Sequence, residues 1–169
     1  MKILIIGIVA SGKTTLAKEL SKRSGIKHFE IDLIVHDDKN KTKRTAEEQQ
    51  KIINKINENE NWIIEGTLRK NLYNLLEISD KIIYMNIPLS VRKRRILLRY
   101  IKQKLGIEKS NYKPNLKMLK LMYKWTNEYE KNKAEFEKNL NKYKNKLIVV
   151  SNTKEIKKLL ETNQIYNFS

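Results

Sequence analysis

Eight residues near the beginning of the chain constrain its fold more than any other stretch. Gly7–Thr14 have the sequence Gly-Ile-Val-Ala-Ser-Gly-Lys-Thr. They follow the apolar run Lys2–Ile6, which is typical of a strand buried on both faces. They precede apolar residues at helical spacing, and Gly25 is the expected C-terminal cap of that helix. A strand, a glycine-rich loop and a helix in this order predict a phosphate-binding loop, or P-loop.

The spacing within this loop has a physical reason. Gly7 and Gly12 allow the backbone to wrap an anion because they carry no Cβ, and the amides at the helix N-terminus then face the phosphates. Lys13 is expected to reach the β- and γ-phosphates of a nucleotide, and the Thr14 hydroxyl is expected to hold Mg²⁺. A glycine-rich turn without a ligand is the alternative. The residues predicted to bind the nucleotide are Gly7, Ala10, Ser11, Gly12, Lys13, Thr14 and Thr15.

The composition predicts one globular domain covering residues 1–169. Hydrophobic residues make up 40% of the chain, and no apolar run is long enough to cross a membrane. There is no signal-peptide pattern, and the absence of cysteine excludes disulfides and cysteine-based metal sites. We therefore expect a cytoplasmic protein with no membrane partner.

The formal net charge of +17 admits two interpretations. A strongly basic surface is typical of nucleic-acid binding. The alternative is compositional drift, since lysine, asparagine and isoleucine are abundant throughout the chain. The lysines are spread along the sequence rather than gathered in a stripe, which favours drift and leaves nucleic acid as a secondary partner.

Arginine is scarce, because only seven of the 36 basic residues are arginine, and four of them lie within Arg92–Arg99. Drift to lysine is expected to spare arginine only where a planar, bidentate donor is needed. Arg92, Arg95 and Arg99 have the spacing of one helix face, and we predict that they neutralise a transferring phosphoryl group. A solvated basic helix face is the alternative.

Strand-like and helix-like stretches alternate, which predicts an α/β fold with helices on both sides of a five-stranded parallel sheet. The predicted strands are residues 2–6, 28–31, 62–64, 81–87 and 146–150. Residues 33–60 form a mainly helical excursion after the second strand, in which Thr45 and Glu48 make a capping box. Residues 105–113 are a predicted loop, and Pro114 suits the first turn of a long helix.

That long helix carries an apolar stripe at roughly helical spacing. Its members are Met118, Met122, Trp125, Tyr129, Phe136, Leu140 and Tyr143. Such a stripe can line a binding groove, but it more often packs on a core, and we predict core packing.

Two acidic residues end predicted strands. Asp32 follows the second strand, and Glu65 with Gly66 ends the third. Because ligands bind outside the carboxyl ends of parallel strands, both acids are candidate site residues. Asp32 is a candidate to accept a hydroxyl proton or to bind a sugar or base, and a plain turn residue is the alternative. Gly66 suggests that a ligand approaches the backbone closely.

Together these segments resemble the adenylate-kinase-like P-loop kinases. The P-loop, the helical excursion, the strand ending at Glu65 and the arginine-rich helix follow that family's order. Within Trp62–Arg69 the acid, glycine and arginine are in register with the family's Asp-Gly-Phe-Pro-Arg. A closer resemblance is to the DNA topology modulation proteins (FlaR-type), which is carried by Asp32, Trp62–Gly66, Arg92–Arg99 and Trp125.

The resemblance implies a three-layer P-loop kinase fold that transfers the γ-phosphoryl group of ATP, with Mg²⁺, to a small acceptor. The acceptor would be a nucleoside, a nucleotide or a similar metabolite. Lys13 would hold the donor phosphates, Thr14 would bind Mg²⁺ directly and Glu65 would bind it through water. A lid would span about residues 92–115. The residues expected on the acceptor side are Asp32, His36, Arg44, Glu65, Gly66 and Arg69.

The sequence also departs from these families. Thr67-Leu68 differs from both family patterns, and the polar segment after Asp32 lacks the aromatic residue usual there. The acceptor is therefore not specified by the sequence. An ATP-binding, DNA-associated protein and a nucleotide-dependent regulator without kinase turnover are the alternative functions. A monomer and a homodimer are both compatible with the chain.

Overall fold

A computed structural model describes residues 1–37, 42–108 and 114–162. Its strands, in chain order, are β1 (Lys2–Gly7), β2 (His28–Glu30), β3 (His36–Asp37), β4 (Thr42–Lys43), β5 (Trp62–Gly66), β6 (Lys81–Met85) and β7 (Leu147–Val150). Its helices are α1 (Lys13–Ser24), α2 (Ile31–Val35), α3 (Ala46–Asn57), α4 (Asn74–Ile78), α5 (Leu89–Lys104), α6 (Leu116–Leu140) and α7 (Thr153–Glu161). Two short 3₁₀ turns cover Lys70–Leu72 and Asn141–Tyr143.

Five of the strands form one parallel sheet in the order β2-β5-β1-β6-β7. The central strand β1 is apolar because both of its faces are covered. Leu4 and Ile6 pack with residues of α2, α3, α4 and α6, whereas Ile3 and Ile5 pack with residues of α1 and α7. The predicted fold of three layers around a five-stranded parallel sheet is therefore confirmed.

Local end signals place several helices as predicted. Gly25 ends α1 in a left-handed conformation with φ 72°. Thr45 and Glu48 form both hydrogen bonds of a capping box at the start of α3. Across the described ranges, 1–37, 42–108 and 114–162, no helix combines the length and apolar character needed to span a bilayer.

The segment after β2 differs from the prediction. The strand ends at Glu30, and residues 31–35 form the short helix α2, so Asp32 lies in a helical first turn. Ile31, Ile34 and Val35 are buried at helical spacing, and this burial stabilises the turn. Part of the predicted polar loop is also structured, since β3 and β4 pair antiparallel. Residues 38–41 lie outside the described part of the chain.

The predicted lid region consists mainly of helix. Helix α5 runs to Lys104, and a turn with Gly106 at φ 71° follows it. Residues 109–113 of the predicted loop lie outside the described residues. Helix α6 begins at Leu116 with Asn115 as its N-cap, two residues after the predicted start at Pro114. Helices α5 and α6 pack directly against each other.

Candidate functional site

A cleft of about 2310 Å³ follows the carboxyl edge of the sheet. A site for one ligand is typically roughly 300–1,000 Å³, so this cleft has room for two. Its lining includes nearly all of the sequence-predicted site residues. These are Gly7, Ala10, Ser11, Gly12, Lys13, Thr14, Thr15, Asp32, His36, Glu65, Gly66, Arg69, Arg95 and Arg99.

The backbone of the P-loop has the form of an anion-binding cradle. Ala10 and Gly12 both have left-handed φ angles, 61° and 101°. A Cβ on Gly7 would lie 2.9 Å from Ser11 Oγ and 3.0 Å from the Met85 carbonyl oxygen, so the cradle requires glycine there. Ser11 Oγ is buried and has no hydrogen-bond partner among the described residues. These features fit a bound phosphate, which such a concavity of amides attracts.

Lys13 is the cation of this cradle. Its side chain is nearly buried, and its Nζ donates to the carbonyl oxygen of Ile8 at 2.9 Å. Burial lowers the pKa of Lys13, and the carboxylates of Glu65 and Asp32 oppose that change. An anionic phosphate would favour the charged ammonium in the same way as these carboxylates do.

Thr14 and Glu65 place two oxygen ligands side by side. Thr14 Oγ1 donates to Glu65 Oε1 at 2.6 Å, because β5 lies next to β1 and ends beside the start of α1. Burial raises the pKa of Glu65, whereas the Thr14 hydrogen bond and the charge of Lys13 lower it. A hydroxyl next to a carboxylate matches the oxygen ligands that Mg²⁺ prefers, so the residues present fit that ion.

An ion pair marks the other side of the cleft. Arg69 Nη2 lies 3.2 Å from Asp32 Oδ1, with the arginine partly buried and the aspartate exposed. His36 is also exposed at this side and lines the cleft. The ion pair joins the segment after β2 to the segment after β5, and the exposed Asp32 side chain lines the cleft.

Gly66 lines the cleft, but the structure corrects the reason for it. A Cβ at this position would lie 2.5 Å from Cβ of Ile31 and 3.1 Å from its Cγ1. Close packing of α2 against the end of β5 therefore requires the glycine. That a ligand approaches the backbone at this end of β5 stays a prediction, which the position of Gly66 in the cleft lining leaves open.

Arg44 is not a cleft residue, contrary to the prediction that it contacts the acceptor. Its Nη1 donates to the carbonyl oxygens of Leu33 and His36, each at 2.6 Å. The carboxylate of Asp37 lies 3.7 Å from its Nη2. The last carbonyls of a helix lack intrahelical partners, so Arg44 satisfies the end of α2 and fixes the segment that bears Asp32.

The structure also corrects the position of Arg92. This residue is 1% exposed, and its Nε donates to the carbonyl oxygen of Ile87 at 2.8 Å. Its terminal nitrogens bond to Thr126 and Glu130 of α6. Because α6 covers the first turn of α5, Arg92 joins the two helices and does not line the cleft.

Arg95 and Arg99 do line the cleft, as predicted. Arg95 Nη1 donates to the carbonyl oxygens of Ser11 at 2.9 Å and Ala10 at 3.3 Å, which connects α5 to the P-loop. Arg99 Nε lies 3.1 Å from Glu108 Oε1 and is half exposed. Arg95 therefore lies directly beside the P-loop, and Arg99 lines the same cleft four residues further along α5.

The apolar stripe on α6 packs on the core only in part, which corrects the prediction of core packing. Leu140 is buried there, and Phe136 and Tyr143 pack against the same cluster. Met118, Met122, Trp125, Tyr129 and Phe136 also line the cleft, and Trp125 is 44% exposed. The helical spacing of these residues does not by itself show that this part of α6 lines the cleft.

Comparisons with known proteins bear on the family and the fold of the chain. The family model described as an AAA domain (AAA_18) matches residues 3–113. The chain is similar to a cytidylate kinase of Sulfolobus acidocaldarius, with 35% identity over 114 residues, which cover 59% of this chain and 62% of that kinase. The chain spans less than two thirds of the length of the curated relatives it matches.

Solved structures support the fold. A shikimate kinase from Bacteroides thetaiotaomicron has a TM-score of 0.58 at 17% identity, covering 97% of this chain and 96% of that one. A deoxyadenosine kinase from M. mycoides with bound dATP has a TM-score of 0.55 at 19% identity, covering 99% and 100%. The P-loop kinase fold is thus shared at low sequence identity, and the family model covers more than half of the sequence. The chain therefore belongs to the AAA domain family (AAA_18), with a P-loop kinase-like fold.

Proposed function

We propose that this chain transfers the γ-phosphoryl group of ATP to a small acceptor bound in the same cleft. The observation that carries the proposal is the shared cleft, in which the P-loop cradle lies opposite the Asp32–Arg69 ion pair. Similarity to a cytidylate kinase and the kinase fold support it. The identity of the acceptor does not follow from these similarities.

The residues at the two sides of the cleft suit the two halves of such a reaction. An acceptor oxygen attacks the γ-phosphorus, the bond from that phosphorus to the bridging oxygen breaks, and ADP leaves. Where the acceptor oxygen is a hydroxyl, its proton passes to the Asp32 carboxylate. Arg69 holds this carboxylate in place at 3.2 Å.

Charge stabilisation is the main task of the protein in phosphoryl transfer. Lys13 and the P-loop amides bind the donor phosphates, and Arg95 and Arg99 approach them from α5. Thr14 would hold Mg²⁺ directly and Glu65 would hold it through water. When bound, this ion supplies further positive charge to the phosphates.

The direct test is ADP release from ATP and Mg²⁺ across a panel of nucleosides, nucleoside monophosphates and small hydroxy acids. We expect release that depends on one class of acceptor and is lost in Lys13→Ala. Lys22→Ala is the matched control, because Lys22 is an exposed lysine of the same helix outside the cleft lining. Asp32→Asn is expected to lower the rate for a hydroxyl acceptor by about 10²–10⁴-fold.

Other outcomes of this panel identify the alternative functions. ADP release without any acceptor would contradict the proposal in favour of an ATPase or a switch. ATP binding with no release would contradict it in favour of a regulator or a DNA-associated protein, for which salt-dependent DNA titration is the next step. A role like that of the topology modulation proteins and a cytoplasmic location stay predictions.

A further inference from the structure

One face of α6 forms a wall of the acceptor side of the cleft. Between its middle and its C-terminal end, this helix contributes Trp125, Tyr129, Asn132, Phe136 and Asn139 to the lining. Their spacing of four, three, four and three residues is that of a single helical face. Tyr129 and Phe136 also pack on the core cluster of α2, α3 and α4, which places this wall over the sheet face that carries α2.

The α6 wall contains no lysine, although the helix is rich in lysine. Six lysines lie within Leu116–Leu140, at positions 117, 120, 124, 131, 133 and 138. None of the six is among the described lining of the cleft. In a chain with a net charge of +17, lysine occupies the other faces of α6 freely. This face of α6 therefore offers no ammonium group to an anionic ligand.

The charges around the acceptor side lead to the same conclusion. Among the described lining residues at this side, Asp32, Glu128 and Glu135 carry negative charge, and Arg69 and Lys70 carry positive charge. Arg69 is already paired with Asp32. Glu128 is likewise paired with Lys124, whose Nζ lies 3.8 Å from its Oε1. The charges that remain at this side, Glu135 and Lys70, balance each other, so the described lining holds no cluster of cations for a phosphate dianion.

The uncharged members of the α6 wall suit a planar ring. Trp125 is the exposed aromatic side chain of the wall, and Tyr73 lines the cleft from the segment after β5. Tyr129 and Phe136 also line the cleft, where their rings pack edge-on against each other, and the Arg92 guanidinium lies 5.6 Å from the Tyr129 ring centroid. Heteroaromatic bases stack on such side chains with a gain of about 1–3 kcal/mol per base. Asn132 carries a side-chain amide, which can both donate to and accept from the edge of a base.

We propose that the acceptor is an unphosphorylated nucleoside, bound with its base against the α6 wall and its hydroxyl directed towards Asp32. The transfer step rests on the function proposed above, whereas the binding preference does not. The hydroxyl oxygen attacks the γ-phosphorus, its proton passes to Asp32, and ADP leaves. A nucleoside monophosphate is disfavoured because the described lining of the acceptor side offers its phosphate a single lysine, Lys70, outside an ion pair.

Binding measured without turnover tests this preference. Nucleosides and their 5′-monophosphates are titrated by calorimetry into the full chain with Mg²⁺ and a non-hydrolysable ATP analogue. Trp125 fluorescence is followed in parallel, with Trp125→Phe as the blank, because Trp62 is fully buried. We expect at least one nucleoside to bind about tenfold or more tightly than its monophosphate, and to change Trp125 emission.

A matched pair of variants tests the role of the α6 wall. Asn132→Lys places a lysine on the wall, and Lys131→Asn removes the neighbouring lysine from outside it; both residues are exposed. Asn132→Lys is expected to strengthen monophosphate binding relative to nucleoside binding, so that the ratio of the two affinities falls by about three- to fivefold. This is the effect of one exposed charge pair. Lys131→Asn is expected to leave the preference unchanged.

Each outcome decides the inference separately from the proposed kinase function. Monophosphates that bind as tightly as nucleosides would overturn it, even where ADP is formed. ADP formation with an acceptor that is not a nucleoside, and no nucleoside binding, would also overturn it while the kinase function stands. Nucleoside binding without ADP formation would support the binding preference and contradict the kinase function.

Discussion

At the residue scale, Lys13 and Glu65 are two buried ionisable side chains, and the pKa of each shifts in the direction that favours its neutral form. Burial lowers the pKa of the lysine and raises that of the glutamate, while each opposes the change in the other. Thr14 adds a hydrogen bond to the carboxylate at 2.6 Å. Bound phosphates would add a negative partner for Lys13, and a bound divalent cation would add a positive partner for Glu65.

Replacing Glu65 by Gln is expected to change how stability depends on pH. Because burial raises its pKa, the folded protein binds the Glu65 proton more tightly than the unfolded chain does. The stability that this tighter proton binding contributes is fully present below the ordinary pKa of 4.5. It is lost as pH rises through the raised pKa of Glu65 in the folded protein. Towards about pH 8, Glu65→Gln should gain stability relative to the wild type by about 1.4 kcal/mol per unit of pKa elevation. Urea unfolding at several pH values measures this, and parallel profiles would contradict it.

Arg92 and Arg95 provide a contrast between a structural and a functional arginine. Arg92→Met leaves Thr126 and Glu130 without their partner, and we expect a loss of about 2–3 kcal/mol in the free energy of unfolding. Arg95→Met is expected to cost less than about 1 kcal/mol in stability. It should lower turnover by about 10²–10³-fold, because Arg95 faces the phosphate cradle. Denaturation and steady-state rates measure both, and the reverse order of effects would refute the assignment.

At the element scale, the junction of α2 and β5 positions the acceptor side of the cleft. The position of the Asp32 carboxylate depends on α2. This helix is held by packing of Ile31 over Gly66 and by Arg44 at its C-terminal end. Arg69 follows β5 and meets Asp32 across this junction. The geometry of the ion pair is therefore set by backbone packing rather than by the two side chains alone.

Gly66→Ala is expected to disturb this junction more than a glycine replacement elsewhere. The new Cβ would lie 2.5 Å from Cβ of Ile31, so α2 must move, at a cost of about 2–3 kcal/mol. Gly25→Ala is the comparison, since its φ of 72° is strained but no atom lies within 4 Å, and about 1 kcal/mol is expected. Only Gly66→Ala should raise KM for the acceptor. Equal effects on stability and KM in both variants would show that the contact with Ile31 does not matter.

At the scale of the whole molecule, the cleft joins contributions from both ends of the chain. The P-loop and β5 supply one part, and α5 and α6 supply the other. Binding of ATP should therefore hold several elements together and raise the stability of the protein as a whole.

This expectation can be measured by thermal unfolding. At an ATP concentration of 100 times Kd, with Mg²⁺, the protein is stabilised by about 2.7 kcal/mol. Each kcal/mol of stabilisation raises Tm by roughly 2–4 °C for a chain of this size. Lys13→Ala should lose most of this shift, whereas Lys22→Ala should keep it. An equal shift in both variants would mean that ATP binds away from the P-loop.

The parts of this architecture that depend on local sequence could be predicted. The P-loop, the Thr45–Glu48 capping box and the Gly25 cap follow from short motifs whose geometry is nearly independent of the rest of the fold. Alternation of strands and helices was sufficient to predict the parallel sheet. Glu65 was placed correctly because it follows a strand that pairs with β1.

The parts that depend on tertiary packing could not be predicted. Arg92 has the same spacing as Arg95 and Arg99, and only the position of α6 turns it away from the cleft. Arg44 was assigned to the acceptor because nothing local shows that the end of α2 needs its donors. The α6 stripe was assigned to the core, with a binding groove as the alternative, because an apolar stripe has the same pattern whether it faces a core or a ligand.

The most direct test of the proposed transfer from ATP to a nucleoside is to follow the γ-phosphate of ATP itself. ATP radiolabelled at the γ-phosphate is incubated with the full chain, Mg²⁺ and each nucleoside, and the products are separated into acceptor, inorganic phosphate and protein. We expect label on the nucleoside, with none transferred by Lys13→Ala and undiminished transfer by Lys22→Ala. Label found only in inorganic phosphate, or transferred equally well by Lys13→Ala, would contradict phosphoryl transfer to a nucleoside at the P-loop.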